Sequence, residues 1–409
     1  MSLDEQSPSV VERYLALLGD MSCSPALEST RAGTSGDIHL SDAAITGRID
    51  ETSGQLRRII HDYLDDAPDA HTIADKLLKS GDAALHMLRE RDEEGLNSNN
   101  GALAALETIV RVDGSRPSFL VRDGVVDHDS GVVGNWAATL DASADELERA
   151  VACVGRIDDP GAAQGYQGTG SLIGRNLVLT NRHVLQAVAA CDEQGGWCFN
   201  PGVCIDFGHE FLARASVDPR ALRRVAFCPP DPVDPTAPID HAKLDLVLIE
   251  LEQADAVPRH VLALDIADDW AQPSRASFIV GYPADPGFAA FPPTLLERLF
   301  RSLFGFKRLA PGLVMRSELA LHPWTFAHDA TTLGGNSGSS VLLTGREHIA
   351  AGIHYGGKRS EPRENWGHIL GMTLERTDAV TKRTLRHILE EYEVVLVDSM
   401  GNRAATSCI

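Results

Sequence analysis

The chain has 409 residues, with 58 Asp and Glu against 37 Lys and Arg, a formal charge of −21. Such a surface does not neutralise phosphates, which excludes a general nucleic-acid coat, and it does not dock on an anionic bilayer. An apolar share of 43 % with only 21 Pro and 36 Gly is that of a globular protein long enough for two or three domains.

The acidity is uneven. Residues 1–150 hold 28 acidic and 13 basic side chains, a balance of −15, whereas residues 151–409 hold 30 and 24, a balance of −6. That step places a boundary near residue 150. The start carries Asp4, Glu5, Glu12, Arg13 and Asp20 and lacks a basic stretch followed by an apolar core, so it does not read as an export signal. No run approaches the ~20 apolar residues of a spanning helix.

Val10, Val11, Tyr14, Leu15, Leu17 and Leu18 predict a first short helix, and a Ser-, Gly- and Thr-rich loop follows from Ser22 to Ser41. Ile45, Ile49, Leu56, Ile59, Ile60 and Leu64 recur at spacings of three and four. After Pro68, so do Ile73, Leu77, Leu78, Leu85 and Leu88, which gives two amphipathic helices. Gly95 to Gly101 reads as a turn-rich break. Residues 1–100 are thus an acidic helical module, read either as a unit packing on its own core or as a docking or regulatory module for a protein partner. Residues 101–150 read as a connector: a helix from Ala102 to Val110, a strand at Pro117–Arg122 with Asp123-Gly124 as its turn, and a helix capped by Asp141 running through Leu147 and Val151.

From residue 152 short β-branched runs alternate with Gly and Pro turns. They include residues 170–174, Leu177 to Thr180, Val203 to Phe207, Leu246 to Leu251, Phe278 to Val280, Val341 to Leu343 and Ile349 to Ile353, which indicate a β-barrel or sandwich. An insertion, Thr294 to Phe304, has a helical apolar stripe, read as packed on the barrel rather than membrane-facing. A last helix is predicted over Asp378 to Tyr392, leaving residues 396–409 as a tail. The seven cysteines, Cys23, Cys153, Cys191, Cys198, Cys204, Cys228 and Cys408, are odd in number and not spaced as a stapled domain, so they read as free thiols of a cytoplasmic protein. Cys191, Cys198 and Cys204 with His209 contain no C-x-x-C pair. They are read as thiols, and no metal or organic cofactor is expected.

Three fragments carry chemistry. Leu177 to Val184 ends Thr-Asn-Arg-His-Val; Leu244 to Ile249 begins with Asp245; and Thr331 to Ser339 contains Gly-Gly-Asn-Ser-Gly around Ser337. A serine hydroxyl is a weak nucleophile that needs a base, and histidine suits that task. The histidine needs a carboxylate to hold its tautomer, and a developing oxyanion needs N–H donors that a Gly-rich turn supplies. His183, Asp245 and Ser337 occur in that order, 62 and 92 residues apart, each beside a suitable strand. Asp240 is the rival carboxylate; Asp245 is preferred because the apolar run 246–251 follows it.

These fragments resemble the chymotrypsin-like (trypsin-like) serine peptidases. They are most similar to the bacterial branch of glutamyl endopeptidases and high-temperature-requirement proteases, in which Thr-Asn-x-His-Val and Gly-Asn-Ser-Gly replace the digestive enzymes' motifs. Gly168-Thr169-Gly170 before the histidine, Gly352 to Gly357 after the serine, and Lys307 to Gly312 with His328-Asp329 extend the resemblance over about residues 152–392, within a peptidase domain expected over residues 151–395. It implies a mainly β, chymotrypsin-like double barrel with the site in the cleft between barrels, joined to the N-terminal α-helical domain and the C-terminal helix. It also implies Ser337 as nucleophile, His183 as general base and acid, Asp245 as its orienter, and the N–H groups of Gly335 and Ser337 as the oxyanion hole.

Two departures matter. No cysteine neighbours His183. Asn336 stands where digestive enzymes keep an Asp that pairs with a freed amino terminus, so activation by that route is disfavoured and control by the N-terminal module becomes the expectation. Thr331, Thr332, His354, Tyr355 and Gly356 fall on the substrate pocket by the same resemblance. Thr331 at the pocket base does not support a basic preference, which only Asp329 in a shifted register would give. Thr332 and His354 match positions that contact an acidic substrate side chain. The expected activity is endopeptidase cleavage of protein or peptide substrates; the alternative is a catalytically silent scaffold that keeps the barrels for recognition.

Overall fold

The computed structural model describes residues 9–19, 40–64, 68–112, 116–130, 133, 136–211, 219–234, 237–253, 260–284, 304–315, 317, 321–358 and 364–398. The first hundred residues are helical: α1 (Val10–Gly19), α2 (Asp42–Leu64), α3 (Pro68–Glu90), α4 (Glu93–Ser98) and α5 (Asn100–Val112). Val10, Val11, Tyr14 and Leu18 share one stripe of α1 and are buried with Ile45, Leu85, Leu88, Leu106 and Ile109 in one core. Leu56, Ile60, Ala70, Ala74 and Leu77 form a second core against Ala105. Pro68 opens α3, where a missing N–H costs nothing. The turn expected at residues 95–101 is instead the end of the short helix α4 and the start of α5, with Asn99 between them. The Asp92 carboxylate accepts from Gly95 N at 2.9 Å, a cap that outweighs the poor helix propensity of Gly and Asn.

The connector is built onto the barrels. β1 (Phe119–Arg122) and β2 (Val125–Val126) form a hairpin whose turn residues Asp123 and Gly124 both have positive φ, 49° and 80°, the geometry Asp-Gly favours. β1 also pairs with β13 (Arg308–Met315), Phe119 opposite Leu309. The single helix expected from Asp141 is two, α6 (Ala137–Ala142) and α7 (Ala144–Val151), divided at Ser143, whose hydroxyl is drawn to Glu347.

The rest is two closed six-stranded antiparallel barrels. The first runs in the order β10, β5, β4, β3, β8, β9 and back to β10. Its strands are β3 (Val154–Asp158), β4 (Tyr166–Gly174), β5 (Leu177–Thr180), β8 (Cys204–Asp206), β9 (Pro219–Phe227) and β10 (Val247–Leu251), with helix α8 (Arg182–Val188) and the hairpin β6 (Ala189–Cys191) and β7 (Trp197–Phe199) outside the ring. The second runs β12 (Ala276–Gly281), β15 (Ser340–Leu343), β16 (Arg346–Lys358), β17 (Glu364–Ile369), β14 (Thr325–His328), β13 and back to β12. β11 (Ala263–Asp265) lies parallel to both β16 and β18 (Leu396–Val397). The chain therefore has the expected double barrel and helical N-terminal region. The last helix, α9 (Leu385–Glu391), is shorter than expected, because Asp378 accepts from the backbone of Val380, Thr381 and Cys228 and Thr384 caps the helix in its place. The helix expected over Thr294–Phe304 lies, except for Phe304, outside the described residues.

One buried ion pair ties the parts together. Lys307, fully buried, donates to Glu210 at 2.9 Å and to the Phe207 carbonyl at 2.8 Å, while Glu210 accepts from Gly124 N at 2.8 Å. Burial pulls the Lys307 ammonium down from its ordinary value, and Glu210 opposes that pull. Two barrels and the connector hairpin meet on these two side chains. No described helix is long and apolar enough to cross a membrane.

Candidate active site

The Thr-Asn-Arg-His-Val segment is positioned residue by residue. β5 is buried along its length, and its last residue, Thr180, donates through Oγ1 to the Thr169 carbonyl at 2.7 Å. Asn181, fully buried and extended (φ −84°, ψ 153°), ends the strand and opens α8, and its Nδ2 donates to the Asp245 carbonyl at 2.7 Å. The Arg182 guanidinium reaches the Pro229 carbonyl. His183 is thereby held on the first turn of a helix.

Asp245 grips it at two points. His183 Nδ1 lies 2.5 Å from Asp245 Oδ2, and the His183 backbone N–H donates to Oδ1 at 2.9 Å. The Asp245 backbone N–H in turn donates to Nε2 of His368 at 3.0 Å. Burial disfavours the His183 imidazolium, but the charge and hydrogen bond of Asp245 outweigh it and raise the histidine above its ordinary value. Burial would raise the Asp245 carboxyl; His183 beside it instead holds it low. Asp240 is exposed and accepts from Ala242 N in its own turn, away from His183.

Ser337 sits on the turn between β14 and β15. Gly335 and Gly338 have φ of +86° and +91°. A Cβ on Gly335 would stand 2.4 Å from the Tyr282 carbonyl oxygen, and one on Gly338 2.0 Å from that of Thr169, so both positions require glycine. Gly168 lies between a Val184 methyl and the Ser337 carbonyl, which brings the histidine helix and the serine turn to one place. Gly338 N donates to the His354 carbonyl and His354 N to that of Ser339, fixing β16 along the turn. Asn336 is buried and its amide donates to the Leu333 carbonyl at 3.3 Å.

The other residues singled out in the sequence spread over a histidine-rich wall. His354 is buried, its Nδ1 3.1 Å from Nε2 of His328. Tyr355 stacks on His368 with ring centroids 4.3 Å apart, and its hydroxyl lies 2.6 Å from His241 Nδ1. Gly356 sits at a β-bulge, close to Ile239. Thr332 is half-buried. Thr331 Oγ1 donates to the Arg116 carbonyl at 2.7 Å, and Arg116 makes a two-pronged pair with Asp329 at 2.7 and 2.8 Å. Burial pushes His328 and His368 down to about 3. Burial, with His328 and His183 adding to it, carries His354 well below the ordinary range. Sequence reading had no signal for Arg116, His241 or His368, which join the site from 213, 114 and 123 residues away from their partners. Among the described residues no group of three His, Cys, Asp or Glu side chains is arranged to hold a metal ion. Cys191 and Cys198 lie on the hairpin β6–β7, Cys204 on β8, and His209 stacks on Phe306.

No protein-family model matches the chain. A probable serine protease of Lysobacter enzymogenes is 31 % identical over 341 residues, 75 % of this chain and 84 % of that protein. Among solved structures, the inactive form of the Rv3671c protease is 14 % identical with a TM-score of 0.33, covering 62 % of this chain and 92 % of that one. Human heparin binding protein is 14 % identical with a TM-score of 0.38, covering 55 % and 88 %. With the extent of the Lysobacter match and the two closed six-stranded barrels, the chain belongs to the trypsin-like serine protease family.

Proposed function

We propose that the protein is a serine endopeptidase acting through an acyl-enzyme. The observation that carries this reading is the double grip of Asp245 on His183, which fixes ring, tautomer and charge at once. Asp245 accepts a hydrogen bond from Nδ1–H, which keeps that proton on the ring and leaves Nε2 free to take the proton of Ser337 Oγ as that oxygen attacks the scissile carbonyl. The N–H groups of Gly335 and Ser337 receive the oxyanion. The imidazolium then protonates the leaving amine, and water, deprotonated by the same ring, releases the acyl group.

For the side chain before the scissile bond, one reading is an acidic residue received by hydrogen bonds from Thr332 and a neutral His354, as in the glutamyl-endopeptidase-like branch. Asp329, the carboxylate a basic side chain would need, is already occupied by Arg116. Profiling cleavage of a proteome-derived peptide library tests this, and products without Glu or Asp enrichment discard it. The helical module is read as regulating or targeting the peptidase. The five described cysteines are free thiols, which fits the cytoplasmic placement. A fluorophosphonate probe should label the wild type at Ser337 and leave Ser337→Ala unlabelled. A wild type that resists labelling would favour the silent scaffold.

A further inference from the structure

With the activation ion pair of digestive enzymes replaced by a neutral Asn336, something else must hold the oxyanion-binding turn. The structure gives each successive carbonyl of that turn a partner. Gly334 O accepts from Ala284 N at 2.5 Å, which sets the plane of the peptide whose N–H belongs to Gly335. Gly335 O accepts from Thr169 Oγ1 at 2.8 Å. Ser337 O accepts from Thr169 N at 2.8 Å. The same Thr169 hydroxyl accepts from Tyr282 N at 3.1 Å, so its one proton is committed to Gly335 and its orientation is fixed. Thr169 is fully buried, and its own carbonyl receives the Thr180 hydroxyl three residues before His183. Gly281 permits this convergence: a Cβ there would lie 1.9 Å from Ser339 Oγ, 2.7 Å from Asn336 Oδ1 and 3.1 Å from Thr169 Oγ1.

We propose that Thr169 is a positioning residue of the peptidase, holding the Gly334–Ser337 turn in its oxyanion-binding conformation through one hydroxyl and one backbone N–H, with no charged partner. The proposal rests on the endopeptidase reading above for its kinetic consequence but not for the geometry itself. It makes the turn competent as folded: no new amino terminus has to be generated to order it. In a buried, water-poor setting, losing the hydroxyl strands both the Gly335 carbonyl and the Tyr282 N–H, which frees the peptides that carry the donors to rotate.

The test compares Thr169→Val, which keeps the shape and removes the hydroxyl, with Thr169→Ser, which keeps the hydroxyl, both in the full chain. In the valine variant, kcat on a peptide substrate should fall on the order of ten- to a hundredfold, short of the 10²–10³ lost when an oxyanion donor itself is removed, with KM nearly unchanged. Affinity for a peptide boronate, which presents the tetrahedral oxyanion, should fall in parallel, and the serine variant should recover most of both losses. Amide hydrogen exchange over residues 333–339 should quicken in the valine variant alone. Unchanged exchange there overturns the proposal, and so does a serine variant as damaged as the valine one, since packing and not the hydroxyl would then matter. If wild type neither hydrolyses peptides nor labels with fluorophosphonate, the endopeptidase reading falls by itself, and the exchange measurement still decides whether Thr169 pins the turn.

Discussion

The two barrels use histidine in opposite ways. In the first, His183 stands against a carboxylate and is raised above its ordinary value. In the second, His328, His354 and His368 are buried without a carboxylate bonded to their rings and are held neutral, two of them down to about 3. His368 must stay neutral for its Nε2 to accept the Asp245 backbone N–H. The same side chain is thus paired with a carboxylate in one barrel and a neutral hydrogen-bonding strut in the other, and what separates the two is a single bonded carboxylate. The serine turn follows the second barrel's pattern: amide and hydroxyl partners hold it, and the nearby Asp329 is neutralised by Arg116.

The strongest way to break this contrast is Asp245→Asn, which removes the carboxylate from the first wall. We expect kcat to fall on the order of 10⁴-fold, from loss of the tautomer and of the imidazolium's partner. In the wild type, kcat/KM should rise with pH through an inflection above 6.5, the raised His183 value, because the base acts only when neutral. In the variant that inflection should move down, and a pH–rate profile checks both.

The next largest effect is on stability. For a histidine whose folded value is depressed, the unfolded chain binds protons that the folded one refuses, so stability is lost as pH falls below the unfolded value near 6.5, and the loss continues to about 3. From pH 6.5 to 5, His328 and His368 together should cost on the order of 3 kcal/mol. His183, raised on folding, opposes this with stability that is present below 6.5 and lost as pH rises through its folded value. Chemical denaturation across that range should show a net loss, and a flat profile would mean that the second barrel's histidines are not held neutral.

A smaller effect sharpens the comparison at the serine side. Arg116→Ala leaves Asp329 nearly buried and unpaired, and should cost about 3 kcal/mol. The thermal midpoint should fall by several degrees. No shift would show that the connector is not held to the second barrel by this pair. For the same reason, a variant lacking the helical module has to retain Arg116 and β1 before its activity can be compared with the full chain. Equal rates would then discard regulation by that module.

Much of the site was legible because its chemistry is local in sequence. Thr180, Asn181 and His183 lie within four residues, and Gly335, Ser337 and Gly338 within four more, so residue type and spacing already specified their geometry. Seven of the twelve barrel strands were legible from short apolar runs, whereas β3, β9, β13, β14 and β17 were not. The partners that complete the site were not, because strand pairing brings them from afar. Arg116 meets Asp329 across 213 residues, and Thr169 meets Gly335 across 166. Local competition explains the misplaced helix ends: Asp92 caps a helix where Gly and Asn suggested a turn, and Asp378 spends its carboxylate on backbone N–H groups where the apolar spacing suggested continued helix.

The pairing of β18 with β11 has a consequence for handling the protein. β11 is joined to the second barrel through β16 on one side, and among the described residues its other side pairs with residues 395–397, through Leu264 N to Val395 O and Ile266 N to Val397 O, both 2.9 Å. Shortening the chain before Leu396 would bare a row of backbone donors and acceptors beside an intact barrel. An uncovered strand edge of that kind recruits a matching edge from another copy. Such a shortened protein should self-associate with its catalytic groups undisturbed, so losses of soluble material in C-terminal truncations are to be read as edge exposure before they are read as loss of function.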